Sequence, residues 1–273
     1  MSQKEGWKNW SNKQLCFIFI GFTVLLTILR WDSEAWIQSE IDKVIAQNNL
    51  NITYQTLDLN GTKLQLSDVY LHVPNMPKPL QLDSVQLQFD WSELWHGRLA
   101  ILANINNSFM HMSTLLSMHN PYINLSNMIG KVNVQAAQAW YGKETFAQGT
   151  GSITWHGNAG INISTGLPIK TDLQVRWQNA NVHIMQQDYA LGDYALKLTQ
   201  SENNQIWSLQ GGEQLQIQGN GTLHMNHPSA LMWPLQGNVD VQVSPTSPLS
   251  ALLPKTVTKI QLRGVLSQPQ WLM

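Results

Sequence analysis

From Asn51 almost to the C-terminus, apolar and polar residues alternate one for one. A period of two marks strands with one buried and one solvated face. Leu64 and Leu66 set one phase and Val69, Leu71 and Val73 the opposite one; Leu80 and Leu82 give way in the same manner to Val85, Leu87, Phe89 and Trp91. A phase slip inside a strand is what a β-bulge produces, and the two predicted bulges fall at Ser67–Asp68 and Asp83–Ser84. Leu99, Ile101, Ala103 and Ile105 continue the pattern after a predicted turn at Trp95–His96–Gly97. Alternation fails over Ser108–Met128, a stretch of Met, His and Asn with a predicted helical turn at Ser113–Met118, so this segment reads as a crossover or lid. It resumes at Val132 and Val134. Short runs then follow at Ser152–Trp155, Ile161–Ile163, Leu173–Trp177, Val182–Ile184, Tyr194–Leu198, Trp207–Leu209, Leu215–Ile217, Leu223–Met225 and Val239–Val243, with a last strand over Ile260–Leu266. The pairs Gly157–Asn158, Gly192–Asp193, Gly219–Asn220–Gly221 and Gly237–Asn238 read as tight hairpin turns, because Gly and Asn tolerate positive φ. The pattern predicts a mainly β fold, one large, coiled antiparallel β-sheet forming an open barrel or half-tube over residues 51–273.

Ahead of the strands the period changes. Leu15–Leu29 is a run of fifteen residues without a charge, by itself shorter than a bilayer span and compatible with a buried helix or a signal-peptide core. Its flanks decide between these. Trp10 and Trp31 bracket it, and twenty-one helical steps of about 1.5 Å give roughly 32 Å, close to the hydrocarbon thickness of a bilayer. No small-residue cleavage site follows, since the next residues are Arg30, Trp31, Asp32, Ser33 and Glu34. Lys4, Lys8 and Lys13 precede the span, which keeps the N-terminus cytoplasmic by the positive-inside rule. The reading is a cytoplasmic tail (1–14), a transmembrane signal anchor (15–31, with Leu15, Phe19, Leu25, Leu29 and Trp31 as anchor residues), a stalk helix (32–50) and a periplasmic β domain (51–273). Ser33 supplies an N-cap for the stalk, whose stripe is Ile37, Ile41, Val44 and Ile45.

Composition narrows the partners. Charged residues are only 12% of the chain, against about a quarter in an average soluble domain, and the net charge is −1. There is no basic stripe after the anchor, so nucleic acid is not an expected partner. Cys16, the single cysteine, lies inside the predicted span, so the exported domain has no disulfide and depends on its core alone.

Motifs for catalysis are missing: no G-x-S-x-G, H-E-x-x-H, C-x-x-C or P-loop occurs. His224 and His227 are three apart at a strand and cannot converge on one metal without a turn. His111 and His119 read as solvated, and Asp83, Asp90, Glu93, Asp172, Asp188 and Asp193 as caps at strand ends. No cofactor and no metal is expected. Trp91, Trp95, Trp140, Trp155, Trp177, Trp207, Trp233 and Trp271 read as core and edge packing or as an apolar groove.

Two stretches resemble known families. Leu59–Ile101, LNGTKLQLSDVYLHV…LQLDSVQLQFDWSELWHGRLAI, resembles the N-terminal repeats of AsmA-like envelope proteins. Leu167–Leu253, with LPIKTDLQVRWQNANVHI, YALGDYALKLTQ, WSLQGGEQLQIQGNGTLHM, WPLQGNVDVQV and SPLSALL, is similar in order and spacing to the type II secretion system protein N family, with Asp172–Leu173 where that pattern usually has a glycine. The resemblance implies a non-enzymatic accessory of a type II secretion machine in the bacterial inner membrane, single-pass, whose partners are other secretion subunits and the bilayer through residues 15–31. The AsmA likeness implies the alternative, a lipid-handling or envelope-maintenance protein whose apolar groove would hold phospholipid; its lining would be Leu87, Phe89, Leu173, Val175, Leu215 and Ile217.

The anchor is testable directly. Replacing Ile20 and Leu25 together with Lys adds about 6 kcal/mol of apparent insertion cost at mid-membrane, enough to abolish integration. In spheroplasts, Asn203→Cys should react with a membrane-impermeant maleimide while Cys16 does not; labelling of Asn203→Cys only after lysis would refute this topology.

Overall fold

A computed structural model describes residues 33–47, 51–72, 78–94, 98–119, 121–141, 147–184, 187–227, 232–251 and 258–272. The predicted anchor residues Leu15, Phe19, Leu25, Leu29 and Trp31, and the predicted turn at 95–97, lie outside the described residues. Fifteen strands follow one another along the chain: β1 (Ile52–Thr53), β2 (Thr56–Asn60), β3 (Lys63–Leu71), β4 (Leu80–Phe89), β5 (Leu99–Asn106), β6 (Met110–His119), β7 (Tyr122–Asn133) and β8 (Ala147–Asn162), then β9 (Pro168–Ile184), β10 (Gln187–Ser201), β11 (Asn204–Gly211), β12 (Leu215–His224), β13 (Leu235–Val243), β14 (Thr258–Val265) and β15 (Gln268–Leu272). All belong to one open antiparallel sheet. From β3 to β15 each strand pairs with the next, and β1 and β2 share the outer edge of β3.

The predicted helix is present over Ser33–Gln47. Ile37, Ile41 and Ile45 are half-buried, but Val44 is 50% exposed, so the apolar stripe is narrower than expected. Tyr54 Oη donates to Asp42 Oδ1 at 2.7 Å and ties the helix to the start of the sheet; burial and that carboxylate push the phenol up to about 12.

Four expectations need correction. Ser108–Met128 is neither crossover nor lid, and Ser113–Met118 is not a helical turn: the segment forms most of the β6–β7 pair. Its alternation is hidden by a register shift between Ser113 and Leu115, after which Leu116 and Leu125 face each other. Val134 does not extend a strand but opens the helix Val134–Tyr141. Asn133 Oδ1 accepts from Ala136 N–H at 2.9 Å as an N-cap, and the Ala-rich segment after it favours helix over strand. At Asp68 and Asp83 the two strands slip phase together, so Leu66 stays opposite Val85 and Val69 opposite Leu82. The register is unbroken because the two slips cancel, and only Asp68 shows the expected kink, with φ of 50°.

The fourth correction concerns the glycines. Gly157–Asn158, Gly192–Asp193, Gly219–Asn220–Gly221 and Gly237–Asn238 all lie inside strands, not at turns. Several of the short predicted runs therefore fuse, and β8, β9 and β10 are 16, 17 and 15 residues long. The reason is side-chain room. Gly221 pairs with both Trp207 and Gly237, and a Cβ at Gly219, Gly221 or Gly237 would meet the Trp207 indole. From β11 the ring reaches over β12 and β13, on a floor that only glycine leaves open. Trp155 lies over Gly130 in the same way. Around Trp207, only 6% exposed, pack Leu223, Met225, Trp233, Leu235, Val239 and Leu262. A second cluster joins Tyr189, Leu191 and Tyr194 to Val243 and to Leu249, carried by the 3₁₀ turn Pro248–Ala251.

Gly221→Val would press a branched side chain against Trp207 and the Gln236 carbonyl, and should destabilise the full-length protein by about 1–3 kcal/mol. Trp207→Ala should remove about 3–5 kcal/mol by leaving a cavity over bare glycines. Urea unfolding followed by tryptophan fluorescence and circular dichroism checks both; a neutral Gly221→Val would refute the floor.

Candidate functional site

Side chains opposite one another in neighbouring strands share a face. Ile153, Trp177 and Tyr194 stand in one such row across β8, β9 and β10; Val175, Leu196 and Leu209 form the next across β9, β10 and β11. With Leu191, Leu215 and Ile217 they line an apolar cavity of about 280 Å³. Leu191 and Tyr194 are three apart and would point to opposite faces of a regular strand. Two register shifts around Gly192, whose φ is 91°, bring both inward. Asp193 fastens that bulge by accepting from Asn179 N–H at 2.7 Å, with Asn179 itself at a φ of 50°.

The polar atoms of the two aromatic linings are spent on backbone. Trp177 Nε1 donates to Thr150 O at 2.9 Å and Tyr194 Oη to Leu215 O at 2.7 Å, with the rings 6.0 Å apart. Tyr194 on β10 thus reaches β12 past the end of β11, where Gly211 is its partner. Burial pushes its phenol up to about 12. Apart from that neutral phenol the lining holds no acid, base or nucleophile. Such a site can take up apolar groups and exclude water; it has no means of moving a proton near neutral pH.

Of the residues singled out from the sequence, Val175, Leu215 and Ile217 line the cavity. Leu173 is two residues from Val175 on the same strand face, opposite Leu198 and just outside the lining. Leu87 and Phe89 lie far off on β4, yet Phe89 is joined to that face by an unbroken row through Ile101, Leu116, Leu125, Ala159 and Thr171. They belong to the same apolar face without sharing the cavity. Trp177 was among the tryptophans read as core packing or an apolar groove; Ile153, Leu191, Tyr194, Leu196 and Leu209 were not picked out as lining, and the Leu191–Gly192–Asp193–Tyr194 spacing was the signal for two of them.

The polar candidates are structural. His224 Nδ1 meets Asn204 Oδ1 at 2.7 Å, His183 Nδ1 meets Asp188 Oδ1 at 2.8 Å, and His111 Nδ1 meets Asn106 Oδ1. Asp90 accepts from Ser92 N–H at 3.0 Å, and Glu93 stands 4.0 Å from Arg98. Among the described residues no three of His, Cys, Asp and Glu come together as a metal site. Trp233 Nε1 donates to His227 O at 2.6 Å, whereas Trp271 is 60% exposed on β15.

Because the Tyr194 phenol is raised in the folded protein, the stability tied to its neutral form is complete below about pH 10 and is lost as pH rises toward about 12. Tyr194→Phe should cost about 0.5–1.5 kcal/mol at neutral pH through the lost hydrogen bond and should flatten the fall in stability between pH 10 and 12. Denaturant unfolding across that window, with phenolate absorbance, tests it; an unchanged slope would place Tyr194 in solvent.

The sequence pattern of the type II secretion system protein N family matches residues 73–260, from just before β4 into β14 and including every lining residue of the cavity. Neither a curated protein nor a solved structure matches the chain. The match spans more than half of the 273 residues. The chain belongs to the type II secretion system protein N family.

Proposed function

We propose that the protein is a non-enzymatic accessory component of a type II secretion machine, held in the bacterial inner membrane by residues 15–31 with residues 51–273 in the periplasm. The observation that carries the secretion role is the family match over residues 73–260. The anchor rests on the apolar run Leu15–Leu29 with its Trp and Lys flanks; among the described residues no helix is long and apolar enough to cross a membrane. A component of this kind works through contacts with other secretion subunits, and a long open sheet offers them two faces and two strand edges.

The cavity favours a second reading. Large open sheets tend to curl, and a curl of this sheet toward its apolar face would make that face a concave groove. A cleft lined by aliphatic and aromatic side chains suits an acyl chain, which would make the protein an AsmA-like lipid-handling or envelope-maintenance factor.

A deletion strain should lose secretion of its exoproteins, and the detergent-solubilised full chain should recover other inner-membrane secretion subunits. Normal secretion together with no recovered subunit would sink the first reading. Native mass spectrometry of the same preparation decides the second: copurifying phospholipid that is reduced at least about fivefold by Ile217→Asn supports it, and a lipid-free protein counts against it.

A further inference from the structure

A second cavity, of about 420 Å³, has a mixed lining in which Leu125 and Ala159 stand beside polar and charged residues. Its polar lining is Arg98, Ser117, Asn124, Ser126, Asn158 and Lys170. Register explains how residues so distant in sequence meet: Ser117 pairs with Asn124, Asn124 with Gly160 and Gly160 with Lys170, a row across β6 to β9. Asn158 is two residues from Gly160 on β8 and so shares its face. Arg98 immediately precedes β5, where Ala100 pairs with Ser117, so the two cations close the row at opposite ends. Gly160, in the middle of the row, is buried under its neighbours: a Cβ there would meet Ile169 at 2.9 Å and Asn124 Oδ1 at 3.1 Å.

We propose that this cavity binds an anionic phosphate group. Its lining contains two cations, two hydroxyls and two amides, and no carboxylate. Asn158 Oδ1 already accepts from Asn127 N–H at 2.9 Å, which leaves its amide N–H groups to donate. Lys170 makes no ion pair among the described residues, and the Arg98–Glu93 contact, at 4.0 Å, is at the limit of one. Arg supplies a planar, bidentate fork and Lys a mobile point charge, the pair of donors that phosphate recognition uses. Asp172, paired with Asn158, and Glu93, 4.0 Å from Arg98, are carboxylates beside lining residues that do not themselves enter the lining. The volume exceeds what a few waters fill, each taking about 30 Å³, and accepts either free phosphate or the headgroup of an anionic phospholipid. This site is separate from the apolar cavity and stands whether or not the secretion role does.

The test is protection of Lys170 from acetylation in the detergent-solubilised full chain, read by peptide mass spectrometry against Lys259 as internal control. Inorganic phosphate should slow Lys170 acetylation at least about fivefold if the source is soluble. If only phosphatidylglycerol nanodiscs protect, and phosphatidylcholine nanodiscs do not, the site takes a headgroup. Arg98→Gln should abolish protection and Asp172→Asn should strengthen it, both with an unchanged thermal midpoint. Equal protection of Lys259, or none of Lys170 by either phosphate or phosphatidylglycerol, overturns the proposal.

Discussion

The protein must bury an apolar surface with a single sheet. Among the described residues the helices are short or peripheral, and none forms a layer over the strands. Each apolar side chain must therefore find cover among its neighbours on the same face. The solution is most visible at Trp207, a large ring laid flat across the bare backbone of Gly219, Gly221 and Gly237. Burying one indole over two neighbouring strands removes more apolar area from water than smaller residues at those positions would. The arrangement leaves Trp207 Nε1 without a hydrogen-bond partner among the described residues, a penalty that the packing offsets.

The same constraint shapes the two cavities. Where aromatic residues lean on one another and on backbone carbonyls, as Trp177 and Tyr194 do, the face stays apolar and a cleft remains. Where Asn and Ser stand in register instead, beside Leu125 and Ala159, a hollow with a mixed lining results. Both cavities lie on strands with register shifts, β8–β9 and β9–β10 for the first and β7–β8 for the second. Bulges aim side chains out of the regular alternation, which is how a sheet makes a site without a loop.

Charge plays a small part in holding this fold. Among the described residues the ion pairs are Lys43–Glu40, Arg98–Glu93 and His183–Asp188, all on exposed side chains except the half-buried Glu93, and such surface pairs contribute about 0–1 kcal/mol each. Stability comes from backbone ladders and from the clusters around Trp207 and Tyr194. Cations that do not stabilise the fold, Lys170 foremost, are then available for recognition.

The alternation of Val85, Leu87 and Phe89 or of Leu173, Val175 and Trp177 is a property of one strand, because side chains at i and i+2 share a face whatever lies beside them. For that reason the antiparallel sheet, the helix at Ser33–Gln47 and a third of the apolar lining could be read from the sequence. The meaning of a glycine could not. Gly221 followed by nothing but strand residues looks the same on paper as a hairpin glycine, and only the approach of Trp207 from the neighbouring strand makes it a floor. Phase slips share that ambiguity: the one at Asp68 faces one at Asp83, and the two shifts around Gly192 also restore the register, Ala190 with Asn181 before and Tyr194 with Trp177 after, while turning Leu191 and Tyr194 to one side. Pairing between strands, which depends on residues distant in the chain, decided what local pattern left open.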